Sequence, residues 1–272
     1  MPTTVADAAA VAESLWPAAG AEAWDAVGLV SGDPAAEVRR ILLAVDAVAA
    51  TVDEAVEARA DVLLTHHPLL LRGVTSVAAD RYKGALLARL IRADCALLAV
   101  HTNADVVARG TSGVLAARLG VDVLAPIAPD AFGGGIGRVG DLAAPTTLGR
   151  FASTVASVLP ATAGGIRVSG DYDRPVRRVA VCGGAGDAYL SSPAVLGADV
   201  YVTADLRHHP AQEAREQALL GGGPALIDVS HWASEWLWLE AAAEALRAAL
   251  PDVEVTVSEL NTDPWDFAVL PS

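Results

Sequence analysis

The sequence predicts an α/β protein built from two related α/β domains. Short apolar segments rich in β-branched residues alternate along the chain with alanine-rich segments of helical character, the usual pattern of parallel α/β structure. The length of 272 residues allows one large domain or two small ones. A strand-like segment that ends in Thr-His-His-Pro at 65–68 is echoed at 198–203, where His-His-Pro follows at 208–210.

The elements follow from these segments in chain order. In the first half, strands are predicted at 40–46, 61–65 and 95–100, and helices at 51–60 and 81–92. A glycine-dense segment at 132–140 separates the halves. The alternation then resumes, with strands at 176–182, 199–203, 225–229 and 253–257, and helices near 187–196, from 210, and over about 230–250.

Composition excludes several classes of protein. The chain carries 19 Lys and Arg against 33 Asp and Glu, a formal charge of −14, which disfavours nucleic acid and anionic lipid as partners. The hydrophobic content of 53% is ample for a packed core, and the uninterrupted apolar run that a membrane-spanning helix needs is missing. Cys95 and Cys182 lie in apolar strands and are predicted to be buried thiols. Without a signal-peptide pattern, a cytoplasmic protein is expected.

His66 and His67 follow the predicted strand at 61–65, and Pro68 favours an extended backbone at His67. Neighbouring residues on a regular strand point to opposite faces. The two imidazoles are therefore expected to serve two neighbouring metal ions, one each, where the backbone turns at the end of the strand. An ordinary loop is the alternative interpretation of this motif.

Two further motifs contain typical metal ligands. His101 and Asp105 follow the next predicted strand, so they reach the same sheet edge, where His101 would bind a metal or orient a ligand. His231 and Glu235 are four residues apart at a helix start, so they share a helix face and form a potential chelate. A polar turn or cap is the alternative for the first motif, and an exposed polar pair is the alternative for the second.

Together the motifs supply ligands for two divalent ions bridged by a carboxylate and a water. Nitrogen and oxygen ligands fit zinc, iron, manganese, cobalt or nickel. His208 and His209 stand at the start of a predicted helix, and an ordinary helix-start role is the simpler interpretation for them.

The motifs in combination resemble the NIF-three-like family, many members of which are labelled GTP cyclohydrolase 1 type 2 homologues. Two positions depart from the family pattern, because Ala26 replaces a usual Asn and Ala204 replaces a frequent Gly. Neither departure removes a predicted ligand. A ferredoxin-like domain that some relatives carry between the halves is missing. The segments that carry the resemblance are 24–33 (WDAVGLVSGD), THHP at 65–68, HTNAD at 101–105, GGGIGRVG at 133–140, 181–190, 197–209 and DVSHWASE at 228–235.

The resemblance implies a dinuclear metal centre with ligands at His66, His67, Asp105, His231 and Glu235. It also implies a pairing that spacing does not show. Glu235 bridges both ions, His67 and Asp105 complete one site, and His66 and His231 complete the other. The family further implies a homohexamer.

Because ligands at 66–105 and 231–235 must converge, the C-terminal segment is expected to return to the first domain. The second domain is then inserted before that segment. We predict a first, metal-binding domain at 1–125 plus 226–272 and a second at 126–225.

The predicted function is that of a metal-dependent hydrolase. Two divalent ions outweigh the charges of Asp105 and Glu235, so the centre would favour a small anionic substrate, a nucleotide or a phosphorylated metabolite. The family label points to GTP ring opening. An ion-activated water would be the nucleophile, and His101 is the candidate proton shuttle. No P-loop or dinucleotide fingerprint supports purine recognition. The alternative is a non-catalytic metal-binding scaffold, metallochaperone or regulatory partner.

Overall fold

The computed structural model describes residues 2–131 and 133–269, so Phe132 of the glycine-rich segment lies outside the described residues. The helices are α1 (Val5–Leu15), α2 (Ala49–Glu57), α3 (Tyr82–Arg92), α4 (Thr102–Asp105), α5 (Thr111–Arg118), α6 (Leu148–Val158), α7 (Pro193–Leu196), α8 (His208–Leu219), α9 (His231–Trp236) and α10 (Trp238–Ala249). The strands are β1 (Gly28–Ser31), β2 (Arg40–Ala44), β3 (Val62–Thr65), β4 (Ala96–Ala99), β5 (Val121–Ala125), β6 (Ala128–Pro129), β7 (Gly135–Ile136), β8 (Arg138–Thr147), β9 (Arg167–Ser169), β10 (Pro175–Ala185), β11 (Val200–Ala204), β12 (Ala225–Val229) and β13 (Glu254–Val257).

The chain divides into two compact units. The first contains the described residues up to Ala104 together with Leu239–Thr262. The second contains Asp105–Trp238 and the described residues from Asp263 onward. Each unit is an α/β structure with its own sheet, which confirms the predicted fold class.

The first unit is built on a five-stranded sheet in the order β1-β4-β3-β2-β13. β13, β2, β3 and β4 are parallel, and β1 is antiparallel to β4. β3 and β4 are buried along their whole length, as expected for apolar strands in the interior of a parallel sheet. Ala44, Thr65 and Ala99 are in register, so β2, β3 and β4 end level with one another. Because β13 pairs with β2, the C-terminal segment returns to this unit, as predicted.

The second unit contains a six-stranded sheet in the order β5-β8-β10-β11-β12-β9. Its central strands β10, β11 and β12 are parallel, and the outer strands are antiparallel to their neighbours. Buried valines and isoleucines such as Val179, Val200 and Ile227 fill one side of the sheet. Ala185, Ala204 and Val229 mark the level at which the parallel strands end.

Residues 133–140 of the glycine-rich segment contain β7, which pairs with β6, and lead into β8. Gly135 has a φ of +145°, and a Cβ there would lie 2.3 Å from the carbonyl oxygen of Ala128, so only glycine fits this close approach. Arg138 is buried and donates hydrogen bonds to the carbonyls of Gly135, Gly137 and Val107. The segment therefore holds the backbone that directly follows α4.

Some bounds differ from those predicted. Residues 105–125 and 226–238 cluster with the second unit, because β5 and β12 pair into its sheet. The helix predicted over 230–250 consists of α9 and α10, which are separated at Leu237. Near 187–196 only a 3-10 turn and the short α7 form. The other predicted elements occur within a few residues of their expected bounds.

The predicted burial of the two cysteines is confirmed. Cys95 and Cys182 are buried thiols, and burial raises the pKa of each to about 12. Trp232 and Trp238 are also buried. Across residues 2–131 and 133–269, no helix has both the length and the apolar character to cross a bilayer.

Candidate metal centre

In the first unit, histidines gather at the carboxyl ends of two neighbouring strands. β3 ends at Thr65 and leads into His66 and His67, and β4 ends at Ala99, two residues before His101. Thr65 and Ala99 are in parallel register, so the residues that follow meet at one sheet edge. The three imidazole centroids lie 5.1, 5.2 and 5.4 Å apart. One nitrogen from each ring lies within 4.8 Å of the others, so these histidines could hold a metal ion.

His66 and His67 are each oriented through Nδ1. The Nδ1 of His66 lies 2.9 Å from the carbonyl oxygen of Val100, and a carbonyl only accepts, so this nitrogen carries the proton. The Nδ1 of His67 lies 2.7 Å from Oδ1 of Asp46. In the neutral rings the lone pair is therefore on Nε2, which is the arrangement found in metal-binding histidines.

His101 is oriented by Asp25, a residue that the sequence analysis left without a role. Its Nδ1 lies 2.9 Å from Oδ1 of Asp25, and the other carboxylate oxygen accepts hydrogen bonds from the backbone N–H and the hydroxyl of Thr102. Burial would raise the pKa of Asp25, but the hydrogen bonds with His101 and Thr102 outweigh it and hold that pKa well below its usual range. Asp25 is therefore an ionised partner for the imidazole.

In the second unit, His231 and Glu235 form the predicted pair. The hydroxyl of Ser230 accepts from the backbone N–H of Ala233, so α9 begins at His231. One turn later, buried Glu235 places Oε1 3.0 Å from Nε2 of His231. The carboxylate is thus not the surface group that the alternative interpretation expected. Asp205 accepts from Nδ1 of His231 at 2.7 Å, so Nε2 of this ring faces Glu235.

The carboxylates of Glu235 and Asp205 favour a proton on His231. Burial would lower the pKa of His231, but the charge of Glu235 and the hydrogen bonds with Asp205 and Glu235 raise it to about 11. A divalent ion would compete with this proton for the same nitrogen and oxygen. The pair is therefore a potential chelate.

Gly184, near the end of β10, leaves the space that this pair occupies. Its φ is +69°, and a Cβ there would lie 2.3 Å from Oε1 of Glu235 and 3.2 Å from Nε2 of His231. Its N–H donates to Oγ of Ser234, and its carbonyl accepts from the hydroxyl of Thr203. These hydrogen bonds hold the end of the strand in place, so that only backbone lies beside Oε1 of Glu235 and Nε2 of His231.

Asp105 ends α4, where the hydroxyl of Thr111 donates to its Oδ1 at 2.5 Å. The backbone N–H of His101 donates to Oδ1 of Asn103, a local polar contact of the kind that the alternative interpretation expected. Asp105 as a metal ligand stays a prediction.

The other histidine pair does not repeat the first. His208 and His209 begin α8, where both are exposed and their rings lie 5.2 Å apart. The residue after β11 that contributes to the site is Asp205, through His231. The sequence echo therefore identifies the equivalent sheet edge but not the equivalent histidines.

Sequence reasoning missed the three aspartates that orient the imidazoles. Asp46 and Asp205 each stand just after a buried strand, and Asp25 lies in the WDAVGLVSGD segment. A carboxylate at the end of a buried strand, level with a histidine after the neighbouring strand, is the signal that could have found the first two. Asp25 follows no such strand, so only the fold brings it to His101.

The sequence model of the Duf34/NIF3 (NGG1p interacting factor 3) family matches residues 3–264. The chain belongs to the DUF34/NIF3 family. This confirms the resemblance inferred from its motifs.

DUF34/NIF3 relatives align over most of their length. A protein of Streptomyces coelicolor named GTP cyclohydrolase 1 type 2 homolog is 49% identical, and the alignment covers 93% of this chain and 90% of the relative. A protein of the same name from Mycobacterium tuberculosis is 34% identical, with 98% of each covered.

Solved structures show the same fold. A hypothetical protein of Staphylococcus aureus superposes with a TM-score of 0.88 at 29% identity, covering 98% of this chain and all of the other. A Bacillus cereus protein related to NIF3 has a TM-score of 0.86 at 25% identity, with 97% and 99% covered.

Proposed function

We propose that this DUF34/NIF3 protein is a metal-dependent hydrolase that acts on a small anionic substrate, either a nucleotide or a phosphorylated metabolite. One observation carries the proposal. His66, His67, His101 and His231 all place Nδ1 against a carbonyl or carboxylate acceptor. This is how proteins fix the tautomer and direction of an imidazole that binds a metal or moves a proton.

The proposed ligands for two divalent ions per chain are His66, His67, Asp105, His231 and Glu235. The pairing is the one that the family resemblance implies, with Glu235 as the bridge, His67 and Asp105 on one ion, and His66 and His231 on the other. The oriented imidazoles of the first unit and the His231–Glu235 pair of the second support the choice of these ligands. Imidazole and carboxylate donors fit zinc, iron, manganese, cobalt and nickel alike.

When bound, two such ions would polarise a substrate oxygen and would make water nucleophilic at neutral pH. His101 is the proposed proton carrier, acting at Nε2 while ionised Asp25 holds Nδ1. A carboxylate at Nδ1 stabilises the imidazolium that forms when Nε2 takes up a proton. Because the imidazole of His101 also lies in the three-histidine cluster, its role as proton carrier must be separated experimentally from a role as ligand.

The relatives' name supports the nucleotide half of the proposal. Proteins from S. coelicolor and M. tuberculosis are named GTP cyclohydrolase 1 type 2 homolog, so GTP is the first substrate to test. The acidic chain, of net charge −14, would need bound cations to attract such an anion.

The test is turnover of a panel of nucleotides and phosphoesters by protein of measured metal content. Protein loaded with zinc, manganese, iron, cobalt or nickel is compared with chelator-treated protein. The proposal expects turnover that requires metal and returns on reloading. Metal-loaded protein that turns over no member of the panel would contradict the hydrolase and favour the scaffold, metallochaperone or regulatory role.

We also propose that the chain forms a homohexamer, as the family resemblance implies. Light scattering coupled to size exclusion should then give six times the chain mass of 27.8 kDa. A monomer at micromolar concentration would contradict it.

A further inference from the structure

Trp24 is an exposed aromatic residue that lies against the histidine cluster of the first unit. Its indole centroid is 5.8 Å from the imidazole of His101, and the two ring planes meet at 76°. The residue exposes 58% of its surface, whereas Trp232 and Trp238 are buried. An edge-on contact with a small ring leaves most of the indole open. The first unit therefore presents an exposed indole ring directly beside His101.

The backbone around Trp24 is held in place. The N–H of Asp25 donates to the carbonyl of Glu22, and the N–H of Glu22 donates to the hydroxyl of Thr102 at 2.9 Å. Asp25 accepts from both the N–H and the hydroxyl of Thr102 while it holds His101. The contacts that orient the imidazole of His101 therefore also hold the backbone that carries Trp24, so the relative position of the two rings is fixed.

The neighbouring charges favour an uncharged ring on this surface over a phosphate. Glu22 and Asp25 flank the indole in the chain, and the side chain of Asp25 is fully buried beside His101. A phosphate bound on the indole would be repelled by these carboxylates. A planar heteroaromatic base carries no net charge and gains affinity by stacking on an aromatic face.

We infer that Trp24 is the stacking platform for the base of a nucleotide substrate, whose phosphate is directed to the metal ions. The inference rests on the proposed function, because the metal ions proposed there would bind the phosphate of the nucleotide. It narrows the substrate class from phosphorylated metabolites in general to those that carry a planar aromatic base.

The experiment is equilibrium binding of GMP and of ribose 5-phosphate to the metal-loaded full-length protein. The two probes share a phosphorylated ribose, and only GMP has a base. Wild type is compared with Trp24→Ala, with Trp24→Phe and with Tyr172→Ala. The control Tyr172 is an exposed aromatic residue that precedes β10, at the opposite end of that strand from Gly184. Metal content and oligomeric mass are measured on the same samples.

Wild type should bind GMP about tenfold or more tightly than ribose 5-phosphate, the range that stacking on one aromatic residue provides. Trp24→Ala should lose this preference while its affinity for ribose 5-phosphate stays within about twofold. Trp24→Phe should keep part of the preference because it retains a flat ring, and Tyr172→Ala should keep all of it.

The inference would be overturned by equal affinity of wild type for both probes, by an unchanged preference in Trp24→Ala, or by an equal loss of both affinities in Trp24→Ala. If Trp24→Ala changes the oligomeric mass and leaves both affinities unchanged, Trp24 belongs to a subunit contact and the inference is wrong. If wild type binds GMP through Trp24 but hydrolyses no substrate, the inference stands and only the proposed hydrolase activity is contradicted. Phosphoester hydrolysis without preference for a base contradicts only the inference.

Discussion

The two units place candidate metal-binding groups at equivalent positions, the carboxyl ends of parallel strands, but they supply different chemistry. The edge of the first unit offers three imidazoles in one cluster. The edge of the second offers one imidazole and the buried carboxylate of Glu235 on a single helix turn. The first edge thus provides neutral nitrogen donors, and the second provides negative charge.

The aspartates that orient the imidazoles differ as well. In the first unit, the side chain of Asp25 is fully buried and that of Asp46 is 23% exposed. In the second unit, the side chain of Asp205 is 59% exposed. Solvent screens an exposed charge far more than a buried one. For metal binding, the orientation of imidazoles by aspartates should therefore matter most in the first unit, and the charge of the ligand Glu235 should matter most in the second. Five substitutions test this difference.

The largest effect is expected for His101→Ala. If His101 moves a proton, the rate of hydrolysis should fall by about 10²–10⁴, the usual contribution of general acid–base catalysis. Metal per chain, measured by elemental analysis, should not change. His208→Ala removes an exposed histidine from the first turn of α8 and should leave both quantities unchanged. A parallel loss of metal and activity would make His101 a ligand instead.

Glu235→Gln should weaken metal binding more than any other change in the second unit. The substitution keeps the size of a buried side chain and removes its charge. Loss of a residue that only supports a ligand lowers metal affinity by about 10–100-fold. Loss of the bridging charge itself should lower metal affinity by more than about 100-fold. Metal per chain should fall for both ions, whereas His231→Ala should affect mainly one. Full occupancy of both ions in Glu235→Gln would show that Glu235 is not the bridge.

The sequence predicted the parts of this site that are local. Buried parallel strands appear in a sequence as short apolar segments. The sequence therefore located the ends of β3 and β4, and with them the histidines that follow. The four-residue spacing of His231 and Glu235 and the capping residue Ser230 were equally local signals.

What the sequence could not show depends on contacts between distant residues. Asp46 lies 21 residues from His67, and Asp25 lies 76 from His101, so only the fold pairs them. The break at Leu237 is hidden because the apolar residues on both sides continue one helical pattern, although the chain passes from the second unit to the first after Trp238. The expected domain bounds differ for the same reason, because strand pairing and not spacing assigns β5 and β12 to the second sheet.

Gly184→Ala tests whether the second unit needs a surface without a side chain beside its ligands. A Cβ 2.3 Å from Oε1 of Glu235 must displace the carboxylate, so we expect zinc affinity to fall by about 10–100-fold, as for other disturbed ligands. The matched control is Gly120→Ala, since Gly120 has a similar φ of +71° and open space around it. Both variants should lose about 1–2 kcal/mol of stability to the left-handed backbone. Only Gly184→Ala should lose zinc in competition with a chelator, and equal zinc affinity in the two would contradict the steric argument.

Asp46→Asn tests orientation in the first unit. The amide keeps an oxygen for Nδ1 of His67, and its NH₂ can face the hydroxyl of Thr262, which donates to the carboxylate in the native protein. The fold should therefore survive, while loss of the charge makes the imidazole a weaker ligand. We expect zinc affinity to fall about tenfold, the lower end of the range for such partners. Unchanged affinity, with the circular dichroism spectrum intact, would show that Asp46 does not support the ligand.

The smallest effect is expected for Asp205→Asn, the equivalent change in the second unit. Asp205 has a φ of 55°, and Asn tolerates this left-handed conformation better than most residues, so the backbone should not resist the substitution. Its carboxylate lies 2.7 Å from Nδ1 of His231 but is largely exposed. Exposed ion pairs contribute about 0.2–1 kcal/mol, so zinc affinity should change by less than about fivefold. The same chelator competition used for Asp46→Asn gives the comparison. If Asp205→Asn costs as much zinc affinity as Asp46→Asn, solvent exposure does not set the strength of these carboxylate–imidazole pairs, and the proposed division between orientation in the first unit and charge in the second is wrong.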